Sequence, residues 1–298
     1  MHRRPFTTQD AYSRGVTHAA LKHGLSQGRI QRVLRGIYIE GADPVTPVET
    51  ALAALVATSG VASGALAGVL HGLDSVRLQG KLVTIPTERD SRLAAVQRAD
   101  LEPQQTVTID GYRCTNGAQT MIGLAVILND LQWEQALESA LHKRLLRVED
   151  LGAVSDFRGS KRIRRVLALR PPGVPPTESL LETLMVQLIR TESLLPTPQR
   201  QVVVLNKWDR FVARVDLAWP EHGTSWSWTD SITRINPFTT PTAKQLSSLR
   251  GVGCQAGSRG TKSHVHRHRP FGAYVNSSSR HSLYAALRDL RSTRHLRL

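Results

Sequence analysis

The chain has 298 residues, enough for two domains, with 40% apolar residues and 5% aromatics, so it can bury ordinary cores with few large rings. A formal net charge of +15 and a pI near 10.8 favour a polyanionic partner, nucleic acid above all. Two distant cysteines, Cys114 and Cys254, and a start MHRRPF with no apolar stretch behind it argue against a disulfide framework and a secretory signal, so a cytoplasmic chain without a membrane partner is expected.

In chain order, Thr7 and Thr8 can cap a short helix through about Arg14, and Gly15 ends it. Thr17 can cap a second helix, HAALKHGLSQ, with Ala20, Leu21 and Leu25 as its apolar stripe. RIQRVLRGIYIEG then places Ile30, Val33 and Leu34 before Arg35-Gly36, with Ile37 and Ile39 alternating after it, a two-stranded hairpin. Helix, tight turn, helix and hairpin over residues 1–42 spell a winged helix-turn-helix. In that geometry the second helix enters the major groove and the hairpin reaches phosphates, with His18, Lys22, His23, Gln27, Arg29, Arg32 and Arg35 as the available contacts. A helix carrying Lys and His on one face is also what any solvated helix looks like.

Ala51–Leu70 is long and uncharged, but its Ala, Gly, Ser and Thr content favours a buried helical hairpin broken at Ser59-Gly60 over a membrane span. The helices LQWEQALESALHKRLL and SKRIRRVLALR follow, and the run Lys161, Arg162, Arg164, Arg165 can either touch phosphate or form a solvated face. A Pro/Gly cluster, Pro171 to Pro176, marks a linker and a boundary, closing a domain over 43–170.

The strings GVTHAALKHGLSQGRIQRVLRGIYI, VASGALAGVLHGL, VTIP and QRADLEPQQTVTIDGYRCTNGAQTMIGLA resemble the N-terminal part of the AbiEi-like antitoxins of type IV toxin–antitoxin systems, over residues 5–155. The resemblance departs at Asn116-Gly117. It implies a winged helix followed by a small α/β domain, DNA binding as a transcriptional repressor, and a cognate toxin as a partner.

After the linker, Thr177 can cap a helix with an apolar face of Leu180, Leu181, Leu184, Met185, Leu188 and Ile189, placing Glu178 in its first turn. Strands are expected at Val202 to Leu205 and Phe211 to Trp219, the second carrying Asp216. Acidic helix, hairpin and Asp-bearing strand resemble the endonuclease-like domain related to very-short-patch-repair nucleases, here over residues 176–221. The expected fold is therefore mixed α/β: a winged helix-turn-helix, a small α/β domain, and an incomplete restriction-endonuclease-like core over 171–221.

Phosphodiester hydrolysis with magnesium needs several carboxylates around the metal, since a hard cation takes oxygen ligands. Glu178 and Asp216 are the candidate catalytic residues and Asp216 the candidate metal ligand. The resembled family continues with a run such as Glu-Leu-Asp-Gly followed by His. This chain has Trp226-Ser227-Trp228-Thr229-Asp230 instead, so no cofactor is expected, and Mg2+ only on the nuclease reading.

Composition changes at the same place. From His222 to Leu298 there is no Glu, and twelve Lys and Arg face two Asp, which is ten of the fifteen net positive charges. Such a segment is ordinarily a low-order basic tail. One frame away, however, Trp228-Thr229 always yields an Asp codon, and permitted codons through Thr233 yield Glu-Leu-Asp-Gly-Gln-His-His. Gln255 to Ser263 similarly yields Gly-Arg-Phe-Thr-Trp-His-Glu-Val. A frameshift between Glu221 and Ser225 is the expectation for 222–298, with a genuine basic tail as the alternative; His264, His266 and His268 are then poor metal ligands. Three functions stay open: a DNA-binding regulator, a metal-dependent endonuclease, and a non-functional product of low solubility with exposed sheet edges.

Overall fold

A computed structural model describes residues 2–152, 157, 159–191, 196–206, 208–227 and 230–234, and shows a mixed α/β protein. Contacts divide the chain into two units, Met1–Leu184 and Met185–Leu298, and each is described by itself.

The first unit opens with β1 (Phe6–Thr7), α1 (Thr8–Ser13), α2 (His18–Ser26), β2 (Ile30–Leu34) and β3 (Ile37–Glu40). Thr7 caps α1 in a capping box with Asp10, and Thr17 caps α2 by accepting from the Ala20 amide at 3.2 Å. Gly15 takes a positive φ of 79°, which lets the chain turn tightly between the two helices. Phe6, Ala11 and Leu21 form a small core, with Val16, Ile30 and Tyr38 against it.

One local expectation needs correction. Ala20 is exposed, and Gly24 takes its place on the inner side of α2 beside Leu21 and Leu25. The cause is close packing: a Cβ on Gly24 would come within 2.7 Å of Ile30 Cδ1. The expected hairpin is present, β2 pairing antiparallel with β3, and β1 extends it to a three-stranded sheet of order β1-β3-β2 through Phe6↔Tyr38 and Thr7↔Ile37.

The next helix, α3 (Pro47–Thr58), packs on all three strands of that sheet, so the boundary at residue 42 does not separate two independent bodies. Thr46 and Glu49 form its capping box, with Pro47 in the first turn. The expected helical hairpin is interrupted: after Ser59, held at φ 46°, the chain makes β4 (Val61–Ala62) before α4 (Gly64–Leu70). The burial expected of this stretch is present, since Ala62, Ala65, Leu66 and Ala67 have no exposed surface.

The second sheet adds β5 (Val83–Ile85), β6 (Val96–Arg98), β7 (Thr106–Ile109) and β8 (Tyr112–Thr115) in the order β6-β5-β4-β8-β7. Asp110 and Gly111, both at positive φ, make the turn between β7 and β8. Where the resemblance departs, Asn116 caps α5 (Gly117–Ile127) by accepting from the Gln119 amide at 2.8 Å. Glycine is required at 117, because a Cβ there would overlap the Leu145 carbonyl. Then α6 (Asp130–His142) and α7 (Ser160–Ala168) close a core around Trp133, whose Nε1 donates to the Met121 carbonyl at 2.9 Å.

The Pro-rich stretch is tied down. Arg170 pairs with buried Glu138 at 2.6 Å and also donates to the Val174 carbonyl, while the Thr177 amide donates to Glu138 Oε2 at 3.0 Å. The division between units therefore falls later, inside α8 (Leu180–Thr191). That helix starts later than expected: Ser179 Oγ accepts from the Glu182 amide at 3.2 Å and donates back to its carboxylate, so Ser179 and Glu182 do the capping, and not Thr177 and Glu178.

In the second unit, Met185, Val186 and Ile189 of α8 pack on Leu217 and Trp219 of β10 (Phe211–Trp219). The sheet is antiparallel with order β12-β11-β10-β9, formed with β9 (Gln199–Leu205), β11 (Thr224–Ser227) and β12 (Asp230–Arg234). Strand pairing thus runs past Glu221, contrary to a low-order tail beginning at His222. Gly223, at φ 59°, provides the turn that lets β11 fold back on β10. Residues 235–298, with His264, His266 and His268, lie outside the described residues.

Candidate nucleic-acid interface

All seven cationic or hydrogen-bonding residues read from the sequence fall on α2, the turn after it, and the β2–β3 hairpin. His18, Lys22 and His23 are on α2, Gln27 is its C-cap, Arg29 follows in the turn, Arg32 is on β2, and Arg35 is at the hairpin tip. Each is exposed. Arg32 Nε reaches the Leu34 carbonyl at 3.4 Å, a weak contact that leaves most of its guanidinium facing water. The tip is set by Gly36 at φ 76°, and the hairpin base is closed by the Gly41 backbone amide donating to the Arg29 carbonyl at 2.7 Å and by Gln31 Nε2 donating to the Gly41 and Asp43 carbonyls.

Carboxylates near this surface are occupied elsewhere. α2 has none. Asp10 accepts from the Thr7 amide and hydroxyl, which hold its carboxyl below the usual range, and Glu40 lies 3.8 Å from Arg14. Around α2, the turn after it and the hairpin tip the charged groups presented outward are therefore cations, the complement of a phosphate backbone.

A fixed relation between α2 and the hairpin is what a two-part DNA contact needs, and Gly24 supplies it through its close approach to Ile30. Gly24→Val is expected to cost about 2 kcal/mol by overpacking, read from chemical denaturation, and to weaken duplex binding beyond what that loss of folded protein explains. Unchanged stability would show that Ile30 simply swings aside.

The sequence pattern did not reveal how the N-terminal arm is held. Arg3 donates from its backbone amide and from Nε to Glu49 Oε1 at 3.0 and 2.9 Å, and from Nη2 to Oε2 at 2.9 Å. The Arg3 guanidinium, with help from the Thr46 amide, keeps the Glu49 carboxyl at about 2. Arg4 lies over the Tyr112 ring at 5.3 Å, on β8 of the second sheet. A signal for half of this was readable, since Thr46-Pro47-Val48-Glu49 is a capping-box pattern; the partner at position 3 was not.

The second basic cluster is not a free surface. Arg162 and Arg165 both grip Asp130, Nε of the first at 2.9 Å, and this holds the Asp130 carboxyl at about 2, Arg165 contributing most. Arg164 reaches Ser160 Oγ at 3.2 Å. Lys161 is exposed.

The two carboxylates of the nuclease expectation belong to different units. Glu178 is exposed on the bend before α8 in the first unit. Asp216 is half-buried on β10 in the second, where Oδ2 accepts from Ser227 Oγ at 2.9 Å across the β10–β11 pair. A hydroxyl occupies the place facing Asp216 where a magnesium site would call for a second carboxylate. Among the described residues no cluster of three or more His, Cys, Asp or Glu could hold a metal ion. Nor is any described helix long and apolar enough to cross a membrane.

No protein-family model matches the chain, and no match to a curated protein was found.

Proposed function

We propose that the chain is a cytoplasmic DNA-binding regulator of transcription of the antitoxin-like kind, acting through the helix-turn-helix and hairpin of residues 8–40, with double-stranded DNA as its partner and a cognate toxin as a second one. The observation that supports this reading is the collection of seven exposed donors and cations on α2, its following turn and the hairpin, with no acidic residue on α2. The second domain is read as a degenerate nuclease-like one: Asp216 keeps its place on a central strand but faces the Ser227 hydroxyl. The frameshift proposed for 222–298 accounts for the missing acidic run, and the coding DNA around codon 222 tests it directly.

The experiment is a gel shift with fragments of the upstream region of the chain's own gene, alongside incubation of plasmid DNA with Mg2+. A retarded complex with no cleavage is expected. Asp216→Ala is expected to leave duplex affinity within about twofold, because surface changes remote from an interface act nearly independently. Mg2+-dependent nicking that disappears in Asp216→Ala would overturn the regulator reading in favour of a metal-dependent endonuclease.

A further inference from the structure

The side of α2 that faces away from the core carries a one-sided hydrogen-bonding code. At 100° per residue, buried Leu21 and Gly24 and half-buried Leu25 mark the inner side, so Ala19, Lys22, His23 and Ser26 lie opposite, all exposed. In a helix-turn-helix complex the N-terminal part of the second helix meets the base edges. Gln27, the C-cap, is at the far end.

Carboxylates and carboxamides are missing from this face. Lys22 has three donors and no acceptor, and Ala19 has neither. The Ser26 hydroxyl donates to the His23 carbonyl at 2.9 Å, and Thr17 Oγ1 already accepts from the Ala20 amide. His18 to Ser26 contains no carboxylate and no carboxamide. His18 and His23 each bring an imidazole N–H donor beside a second ring nitrogen.

Major-groove chemistry then selects the base. Cytosine shows a donor and needs an acceptor from the protein, and adenine shows a donor beside an acceptor and is matched by a carboxamide. Guanine shows two acceptors, N7 and O6, and so is the base that the donor-only ammonium of Lys22 satisfies. We propose that α2 reads guanine in the major groove and that Lys22 is the specificity-determining residue, an inference that rests on the DNA-binding reading above.

The test begins with enrichment of duplexes from a random-sequence pool by the full chain. Guanine is expected at one or more fixed positions. The enriched duplex is then remade with 7-deazaguanine, which lacks the N7 acceptor, at those positions. The parent chain should lose about tenfold in affinity, Lys22→Arg should keep most of that discrimination, and Lys22→Ala should bind both duplexes alike. Two results overturn the proposal: a 7-deaza penalty that persists undiminished in Lys22→Ala, or a Lys22→Ala loss that is uniform across sequences with the salt slope lower by about 1, which assigns Lys22 to a phosphate. Enrichment of sites without guanine overturns it as well. Failure of the full chain to retain any duplex at low salt overturns the DNA-binding reading itself, and this inference with it.

Discussion

Replacing Arg29, Arg32 and Arg35 together by alanine will lower the affinity for double-stranded DNA by two to three orders of magnitude at 0.1 M salt. Each guanidinium that neutralises a phosphate releases counterions, so three of them contribute about 2.7 to the slope of log K against log salt. Extrapolated from 1 M to 0.1 M salt, that slope is worth about 500-fold. All three side chains are exposed on the turn and hairpin, so their removal is expected to leave folding nearly unchanged. A salt titration by fluorescence anisotropy distinguishes this from a base-reading role. Phosphate contacts predict a shallower slope and an even loss across sequences; a preserved slope would mean that the hairpin does not touch the backbone.

Glu49→Ala will destabilise the first unit by about 3 kcal/mol, because it strands Arg3 and removes a carboxylate that is only 3% exposed. The pH dependence has a definite sign. Arg3 depresses the folded carboxyl to about 2, below its ordinary 4.5, so its stabilisation is complete above the ordinary value and fades as pH falls from about 5 through 2. Denaturation of the parent and of Glu49→Gln between pH 7 and pH 3 should converge toward the acid end. A double replacement, Arg3→Met with Glu49→Met, should recover most of the loss, since a packed apolar pair needs no desolvation of charge. If the single and double variants were equally unstable, the pair would be serving as packing and not as a charge contact.

Local grammar made the helix-turn-helix legible. Thr7, Gly15, Thr17 and Gly36 each act on their own few residues, through a side-chain cap or a positive φ, and needed no knowledge of the rest of the fold. What stayed hidden depended on residues far apart in sequence. β1 is two residues long and exists because β3 is beside it, and Asp130 neutralises two arginines more than thirty positions away. The start of α8 was misplaced for a different reason. Thr177 and Ser179 are both competent caps, but the Thr177 hydroxyl is engaged with the Thr183 hydroxyl, and Ser179 Oγ accepts from the Glu182 amide. Asp216 was placed on its strand correctly by alternation, but the hydroxyl facing it came from a segment whose composition argued against any strand at all.

The N-terminal arm has a consequence for cooperativity. Arg3 fastens the chain to α3 while Arg4 lies on Tyr112, and α3 itself covers the sheet that carries the hairpin. A helix-turn-helix attached through a single covalent linker would fray and reclose by itself. Here its opening must also release α3, so its amides should exchange with deuterium alongside those of the five-stranded sheet, as one foldon. Orientation of α2 relative to the hairpin is then maintained by the melting cooperativity of the whole first unit, not by the few side chains of its own small core.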